Sequence, residues 1–260
     1  MPGVPEAPAP APAERGVLRP GRERGWRVDL RTAAAGRLHA SWPAVDADPG
    51  RPAVAVCHPA DTAVVLGSTQ PEAAVDRVQA ARRGVSVVRR RSGGGAVWVA
   101  PGAQVWVDLW VPAGHARWDA DVVRSFEWVG ELWSGALAAA GVTGARWHRG
   151  KGTGGPWAAT VCFGGVGSGE VVAADGRKVV GLSQRRTRAG AWFTGAAYRV
   201  WDPQPLAGVL ALDPAERARM VSELGPAAVG VGQLLDSPSA RGVQDPLAAL
   251  ADLVTARLTL

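Results

Sequence analysis

Two stretches of this chain place residue types that handle anions and carbonyl groups where the backbone can present them. The first is Val87-Val88-Arg89-Arg90-Arg91-Ser92-Gly93-Gly94-Gly95-Ala96-Val97-Trp98. Three successive glycines between two strand-like runs let the backbone approach a ligand closely and offer several N–H groups to an anion or carbonyl. The neighbouring arginines add bidentate recognition of carboxylate or phosphate. Read as composition alone, the same stretch is a flexible hairpin with a solvated arginine run.

The second stretch is Asp175-Gly176-Arg177-Lys178-Val179-Val180-Gly181-Leu182-Ser183-Gln184-Arg185-Arg186. Asp175-Gly176 is a hairpin-turn dipeptide, and a strand follows it with a lysine near its start. A lysine directed inward supplies a compact positive charge to a buried oxyanion or phosphate. A surface lysine beside a turn is the plainer alternative. Composition favours function here: 27 of the 29 basic residues are arginine, and Lys151 and Lys178 are the only lysines.

Other matches carry less. Gly150-Lys151-Gly152-Thr153-Gly154-Gly155 satisfies G-x-G-x-x-G, but Pro156 follows where a helix should open. It is not a P-loop either, because Gly152 stands where Ser or Thr is needed. It reads as a mobile loop. Cys57 and Cys162 lie outside any CxxC and the four histidines are scattered, so no metal site is expected. Two cysteines cannot build a disulfide framework and suggest a reducing, cytoplasmic setting. Twelve tryptophans against three phenylalanines and one tyrosine read mainly as core, with base stacking the lesser reading.

The whole chain has 260 residues, 47% hydrophobic and 20% charged, with net charge +6. That suits a globular protein with a substantial core. No run of 18 apolar residues predicts a membrane span, and the N-terminus lacks the pattern of a secretory signal. Residues 1–25 are rich in Pro, Ala, Arg and Glu and read as a flexible tail. Residues 26–260 read as a single domain that begins near Trp26.

Strand-like and helix-like patterns alternate from there. Strands are predicted over 52–57, 62–67, 85–90, 160–163, 170–173, 178–183 and 191–201. Ala96–Val99 and Gln104–Val111 read as a hairpin, the second with Val105, Val107, Leu109 and Val111 alternating against Trp106, Asp108 and Trp110. Helices are predicted over 71–84, 121–141, 203–212, 214–224, 229–235 and 246–258. Such an order implies an α/β or α+β fold with a mixed central sheet flanked by helices.

Together the two stretches resemble the lipoate–protein ligase A family, within the biotin/lipoate ligase superfamily. The family pattern RRxSGGGAV is matched by Arg89-Arg90-Arg91-Ser92-Gly93-Gly94-Gly95-Ala96-Val97. The later lysine strand is matched by Lys178-Val179-Val180-Gly181-Leu182-Ser183. Upstream, Val64-Val65-Leu66-Gly67-Ser68-Thr69-Gln70 is similar to a further family element. The resemblance spans roughly residues 26–235. It implies a class II synthetase-like catalytic domain that attaches lipoate or octanoate to a lysine of a lipoyl-domain or glycine-cleavage carrier protein.

By that resemblance, the glycine loop (Ser92, Gly93, Gly94, Gly95, Ala96, Val97) with Arg89 and Arg90 would bind the acyl carboxylate or its adenylate. Gly181 and Ser183 would line the same pocket, and Lys178 would sit at the acyl carbonyl and phosphate. A ligase-type reaction, using ATP with Mg, is the leading expectation.

The sequence departs from the ligases at several places. Cys162-Phe163 stands where they carry an Asn-Asp pair, and resembles the cysteine-using octanoyltransferase branch. There Cys162 would be the nucleophile, no cofactor would be needed, and acyl carrier protein would be the donor. A His-Gly element after the lysine strand is replaced by Thr194-Gly195. Two further readings are a catalytically silent acyl-binding protein and a nucleic-acid-binding module, for which no helix-turn-helix, RRM or zinc pattern is present. A basic chain should attract acidic carrier proteins.

Overall fold

The computed structural model describes residues 25–235 and 245–259. Twelve strands run in chain order. They are β1 (Arg27–Ala33), β2 (Ala53–Pro59), β3 (Ala63–Leu66), β4 (Ser86–Arg89), β5 (Val97–Val99), β6 (Gln104–Pro112), β7 (Arg146–Trp147), β8 (Thr153–Gly154), β9 (Gly165–Val166), β10 (Val171–Val172), β11 (Lys178–Arg186) and β12 (Gly190–Tyr198). The helices are α1 (Ala35–Ala40), α2 (Pro43–Ala47), α3 (Arg77–Arg82), α4 (Glu127–Ala139), α5 (Gln204–Ala207), α6 (Pro214–Leu224), α7 (Val231–Leu235) and α8 (Pro246–Thr259). The tail expected over residues 1–25 lies almost wholly outside the described residues.

A seven-stranded sheet has the order β1-β2-β6-β12-β11-β10-β7, and a three-stranded sheet the order β4-β3-β5. The first sheet is parallel only at β1–β2, and the second only at β3–β4. This is the mixed α/β architecture that the alternating patterns imply.

Strand β6 shows why the layers form. Val105, Val107, Leu109 and Val111 point to one face and pack with Val129, Trp133 and Leu137 of α4 and Leu250 and Val254 of α8. Trp106 and Trp110 point to the other face and pack with α1, α2 and Val65 and Val99 of the small sheet. Both faces are covered, so all nine residues of β6 are buried.

Three sequence expectations need correction. Ala96–Val99 and Gln104–Val111 do not form a hairpin. β6 is paired on its two edges by β2 and β12, which leaves no edge for β5, and β5 joins β3 instead. The helix expected over 71–84 is broken into a 3-10 turn, Glu72–Ala74, and α3. Val75 bridges to Leu210, and the Asp76 side chain caps a fresh start by accepting from Gln79 N. Residues 160–163 are not a strand: Val161 makes one bridge to Ala96, and Cys162–Gly164 turn as a 3-10 helix.

Candidate active site

The glycine loop leaves β4 at Arg89 and enters β5 at Val97. Arg90 organises it. This arginine is 4% exposed and donates to Val65 O at 3.3 Å, to Gly93 O at 2.7 Å and to Gly95 O at 2.8 Å. The loop carbonyls are thus turned toward a buried guanidinium. Among the described residues, no acceptor takes the amides of Gly93, Gly94 or Gly95.

Two glycines, Gly95 in the loop and Gly67 beside it, are required for packing. A Cβ on Gly95 would lie 2.5 Å from Val161 C and 2.7 Å from Cys162 N. A Cβ on Gly67 would lie 1.9 Å from Gly94 O. Both contacts are with backbone, so neither neighbour can swing aside.

The loop is stitched to the Cys162 turn, where Ala96 N donates to Thr160 O at 2.8 Å and Cys162 N donates to Ala96 O at 3.0 Å. Gln70 Nε2 donates to Thr160 O at 3.0 Å from the other side. Ser92 and Ser183 hydroxyls meet at 3.0 Å, linking the loop to β11. Arg89 is placed elsewhere. It donates to Gly67 O at 3.1 Å and Gln70 O at 2.5 Å, and approaches Glu72.

Lys178 and Cys162 are brought together. The Lys178 ammonium, 1% exposed, lies 4.0 Å from Cys162 Sγ. It donates to Cys162 O at 2.6 Å and Gly165 O at 2.9 Å, and pairs with Glu170 Oε2 at 2.6 Å. The Phe163 ring lies 5.0 Å away. Three oxygen acceptors match the three ammonium hydrogens, so Lys178 brings positive charge to the sulfur with its donors already engaged.

Glu170 is equally committed. Its Oε2 accepts from Gly167 N at 2.6 Å and its Oε1 from Leu182 N at 2.9 Å. Strand β10 is only two residues long, and the carboxylate serves Leu182 where a further strand residue would otherwise pair.

A cavity opens between the two sheets in front of Cys162. Its lining includes Gly181, Ser183, Thr194, Ala196, Tyr198, Gln104 and Trp106 from β11, β12 and β6, facing Val65, Val97, Val99, Arg90 and His39. The space between these walls, counted together with its opening to solvent, is about 510 Å³. Gly181 makes room for the Phe163 ring, since a Cβ there would meet it at 3.0 Å, while Cys162 Sγ would lie at an ordinary contact distance of 3.5 Å. Toward the outside, His39, Arg90 and Thr194 adjoin a mouth that also carries Arg91, Ser92, Arg185 and Trp192.

Burial sets the charge states around this cavity. It holds His39 down to about 3, helped by Arg90 and Arg31, so the imidazole is neutral at physiological pH. It raises the Tyr198 phenol, whose hydroxyl donates to Trp98 O at 2.7 Å. It also raises Asp108, against the pull of hydrogen bonds from Trp106 (2.8 Å) and Thr194 (2.7 Å). The other cysteine, Cys57, is pushed well up by burial and then by Asp108, so it stays a protonated thiol.

Of the residues singled out from sequence, Cys162, Arg90, Val97, Gly181 and Ser183 line the cavity and Ser92 its mouth, Lys178 touches Cys162 from behind, and Gly93, Gly94, Gly95 and Ala96 form the loop bonded to Arg90 and to the Cys162 turn without lining the cavity. Arg89 is not among them. Glu170, His39 and Gln104 are site residues that sequence reasoning missed. For Glu170 one signal existed, the one charged residue in the glycine-rich run from Phe163 to Ala174. Lys151 stands in an exposed segment where His148 Nε2 meets Lys151 O at 2.9 Å. Among the described residues no group of three or more His, Cys, Asp or Glu could hold a metal ion. No described helix is long and apolar enough to cross a membrane.

The architecture is shared with solved lipoate protein ligases. Residues 44–248 match the model of the lipoyl protein ligase A/B catalytic domain, and the chain belongs to that family of enzymes. It is similar over 90% of its length to the bipartite lipoate protein ligase of the archaeon Thermoplasma acidophilum, covering 84% of that chain at 16% identity and TM-score 0.68. It is similar to the T. acidophilum protein Ta0514 with bound lipoic acid, covering 86% of that chain at 18% identity and TM-score 0.64. A lipoate-protein ligase A bound with ATP gives 85% of that chain, 18% identity and TM-score 0.61. At these identities the likeness is one of fold. No curated protein matches.

Proposed function

We propose that this chain transfers a medium-chain acyl group, octanoyl or lipoyl, to a lysine of a lipoyl-domain carrier protein, with Cys162 as the covalent intermediate. One observation carries the reading: the Cys162 sulfur faces an apolar cavity and has the Lys178 ammonium 4.0 Å behind it. Residues 26–260 form the working domain in this scheme, and Cys162 as a free thiol fits a reducing, cytoplasmic setting.

The chemistry closes in two steps. Cys162 attacks an acyl thioester on the donor carrier. The Cys162 S–C bond forms, the donor S–C bond breaks, and the donor leaves as a thiol. The acceptor lysine amine then attacks the acyl-cysteine. The amide bond forms, the Cys162 S–C bond breaks, and the amine proton ends on the released thiol.

Lys178 steadies negative charge at the sulfur in both steps, and Glu170 fixes Lys178. The free amides of Gly93, Gly94 and Gly95 are the donors best placed to receive a developing oxyanion. Each methylene of the acyl chain buried in the cavity contributes about 0.8 kcal/mol. The net charge of +6 favours acidic donor and acceptor proteins.

A second reading keeps the same pocket and activates free lipoate or octanoate with ATP. The glycine-loop amides and the guanidiniums of Arg91 and Arg185 at the mouth favour it, since they suit a phosphate. Among the described residues that line the cavity and its mouth there is no carboxylate to hold a magnesium ion, and Glu170, beside Lys178, has both oxygens engaged.

Intact-mass analysis of a lipoyl domain incubated with this protein separates the readings. One reaction contains octanoyl carrier protein and the other lipoate with ATP. An adduct in the first supports the cysteine route. An adduct confined to the second overturns it in favour of ligation.

A further inference from the structure

Strand β1 lies at one end of the seven-stranded sheet and has only β2 beside it. Arg27 N donates to Pro52 O, and Ala33 O accepts from Ala60 N. In a parallel pair alternate residues face the neighbour, so Arg27, Asp29, Arg31 and Ala33 direct their backbone groups to β2. The N–H and C=O groups of Val28, Leu30 and Thr32 point away from it. Among the described residues no backbone group pairs with them.

Open sheet edges are normally blunted by shortness, a proline, a bulge or a charge. The opposite edge of this sheet, β7, is two residues long. Strand β1 has seven residues in unbroken register and no proline, and its exposed positions are Val28, Leu30 and Thr32. Val28 is 52% and Leu30 74% exposed. Both continue apolar rows of the sheet. Leu30 stands in register with Val56 and then Val107, and Val28 with Val54 and then Leu109. The inner members of these rows belong to the core beneath α4 and α8. At β1 the rows come out into solvent.

The strand is also complementary to itself. A second copy laid antiparallel across a two-fold axis overlaps most of Arg27–Ala33 only when the axis passes through Asp29, Leu30 or Arg31. With Asp29 on the axis, aspartate faces aspartate and Arg27 faces Arg31. With Arg31 on the axis, arginine faces arginine. Like charges directly opposite each other are destabilising. With Leu30 on the axis the whole strand overlaps, Leu30 faces Leu30, Val28 faces Thr32, and Asp29 faces Arg31. That register also sets outward N–H and C=O groups against one another at every second residue, for about six hydrogen bonds.

We propose that β1 is a self-association edge, where two copies of this chain pair antiparallel about a two-fold axis at Leu30 and join their large sheets into one. The occupant is a second copy because the charge pattern of the strand fits its own reverse. Such a contact uses the same patch on both protomers and closes on itself, so association stops at the dimer. The apolar row then runs without a break from Val107, Val56 and Leu30 of one protomer into the same residues of its partner.

Sedimentation velocity of the full chain tests this. Wild type sediments at micromolar concentration as a species of twice the 26.9 kDa chain mass. Leu30→Lys changes a side chain that is 74% exposed, so the fold stands. It sets two ammonium groups against each other and raises the dissociation constant at least about a hundredfold. The register is read by mild oxidation of cysteine variants. Leu30→Cys links to its own counterpart, because facing Cα atoms in such a pair lie about 5.5 Å apart, within disulfide reach. Val28→Cys alone does not link, but it links to Thr32→Cys when the two variants are mixed. Peptide masses separate these links from any at Cys57 or Cys162. A wild type that stays monomeric leaves the edge to residues 1–24 or to a carrier protein and overturns the pairing. A dimer that Leu30→Lys leaves intact, or one in which Leu30→Cys does not link, overturns it as well.

Discussion

Lys178 and Glu170 form an ion pair 2.6 Å long with side chains only 1% and 6% exposed. Each partner also holds backbone. Lys178 takes two carbonyls around the Cys162 turn, and Glu170 takes the amides of Gly167 and Leu182. The pair therefore joins the Cys162 turn to the middle of β11. Buried pairs seldom add net stability over apolar replacements, but breaking one side leaves an uncompensated charge.

Glu170→Gln should therefore destabilise the protein by about 3 kcal/mol. Glu170→Leu combined with Lys178→Met should cost clearly less than the sum of the two single changes. Urea denaturation of the four proteins gives the coupling energy. Simple additivity would show that the two side chains do not act as a unit.

Cys162→Ser should lower transfer from an octanoyl thioester by about a thousandfold or more, the scale of losing a covalent nucleophile. Wild type incubated with the thioester and no acceptor should gain one octanoyl mass on the peptide containing Cys162. Cys57, a protonated thiol inside the core, should stay unmodified. An unlabelled Cys162 with full transfer activity would exclude the covalent route.

Gly95→Ala and Gly93→Ala make a matched pair. The new methyl at 95 meets the backbone of Val161 and Cys162 within 2.5–2.7 Å, whereas at 93 nothing lies within 4 Å. The first should cost about 3 kcal/mol, as overpacking does, and displace the Cys162 turn. The second should stay within about 0.5 kcal/mol of wild type. Thermal melts of the two variants test this ranking.

His39 sets a pH dependence of stability. Its pKa is about 3 in the folded chain, against an ordinary value of 6.5. Between those values the unfolded chain holds a proton that the folded chain lacks, so stability falls as pH drops through that window. The slope approaches at most about 1.4 kcal/mol per pH unit. His39→Gln should lose less stability than wild type between pH 7 and pH 4. Parallel urea midpoints across that range would contradict the assignment.

Much of the site was legible because its pieces are local. A triple glycine between two strands, a lysine at a strand start and a cysteine before a glycine-rich run can each be read along the chain. The partners that complete the site are not local. Glu170 reaches Leu182 because β10 begins only at Val171, and His39 meets Trp106 across two elements 67 positions apart in sequence. The same limit misplaced β5. Its alternation with β6 suggested a hairpin, but edge availability in a sheet depends on β2 and β12, which lie far away in the chain. Helix α6 was read correctly end to end, Pro214–Leu224, because Asp213, Pro214 and Glu216 are a self-contained start signal.

Arg90 has one more consequence. By gathering the carbonyls of Gly93 and Gly95, it draws the negative ends of those peptide dipoles into the protein, leaving the Gly94 amide without an acceptor among the described residues while the Ala96 amide is closed by Thr160 O. The loop then behaves like the first turn of a helix with no helix behind it. An anion at the loop meets oriented amides as well as charge. Arginine stays protonated throughout the range in which the protein is folded, so this polarity is fixed. Ionisation elsewhere in the site can change what reacts, while the cradle itself does not titrate.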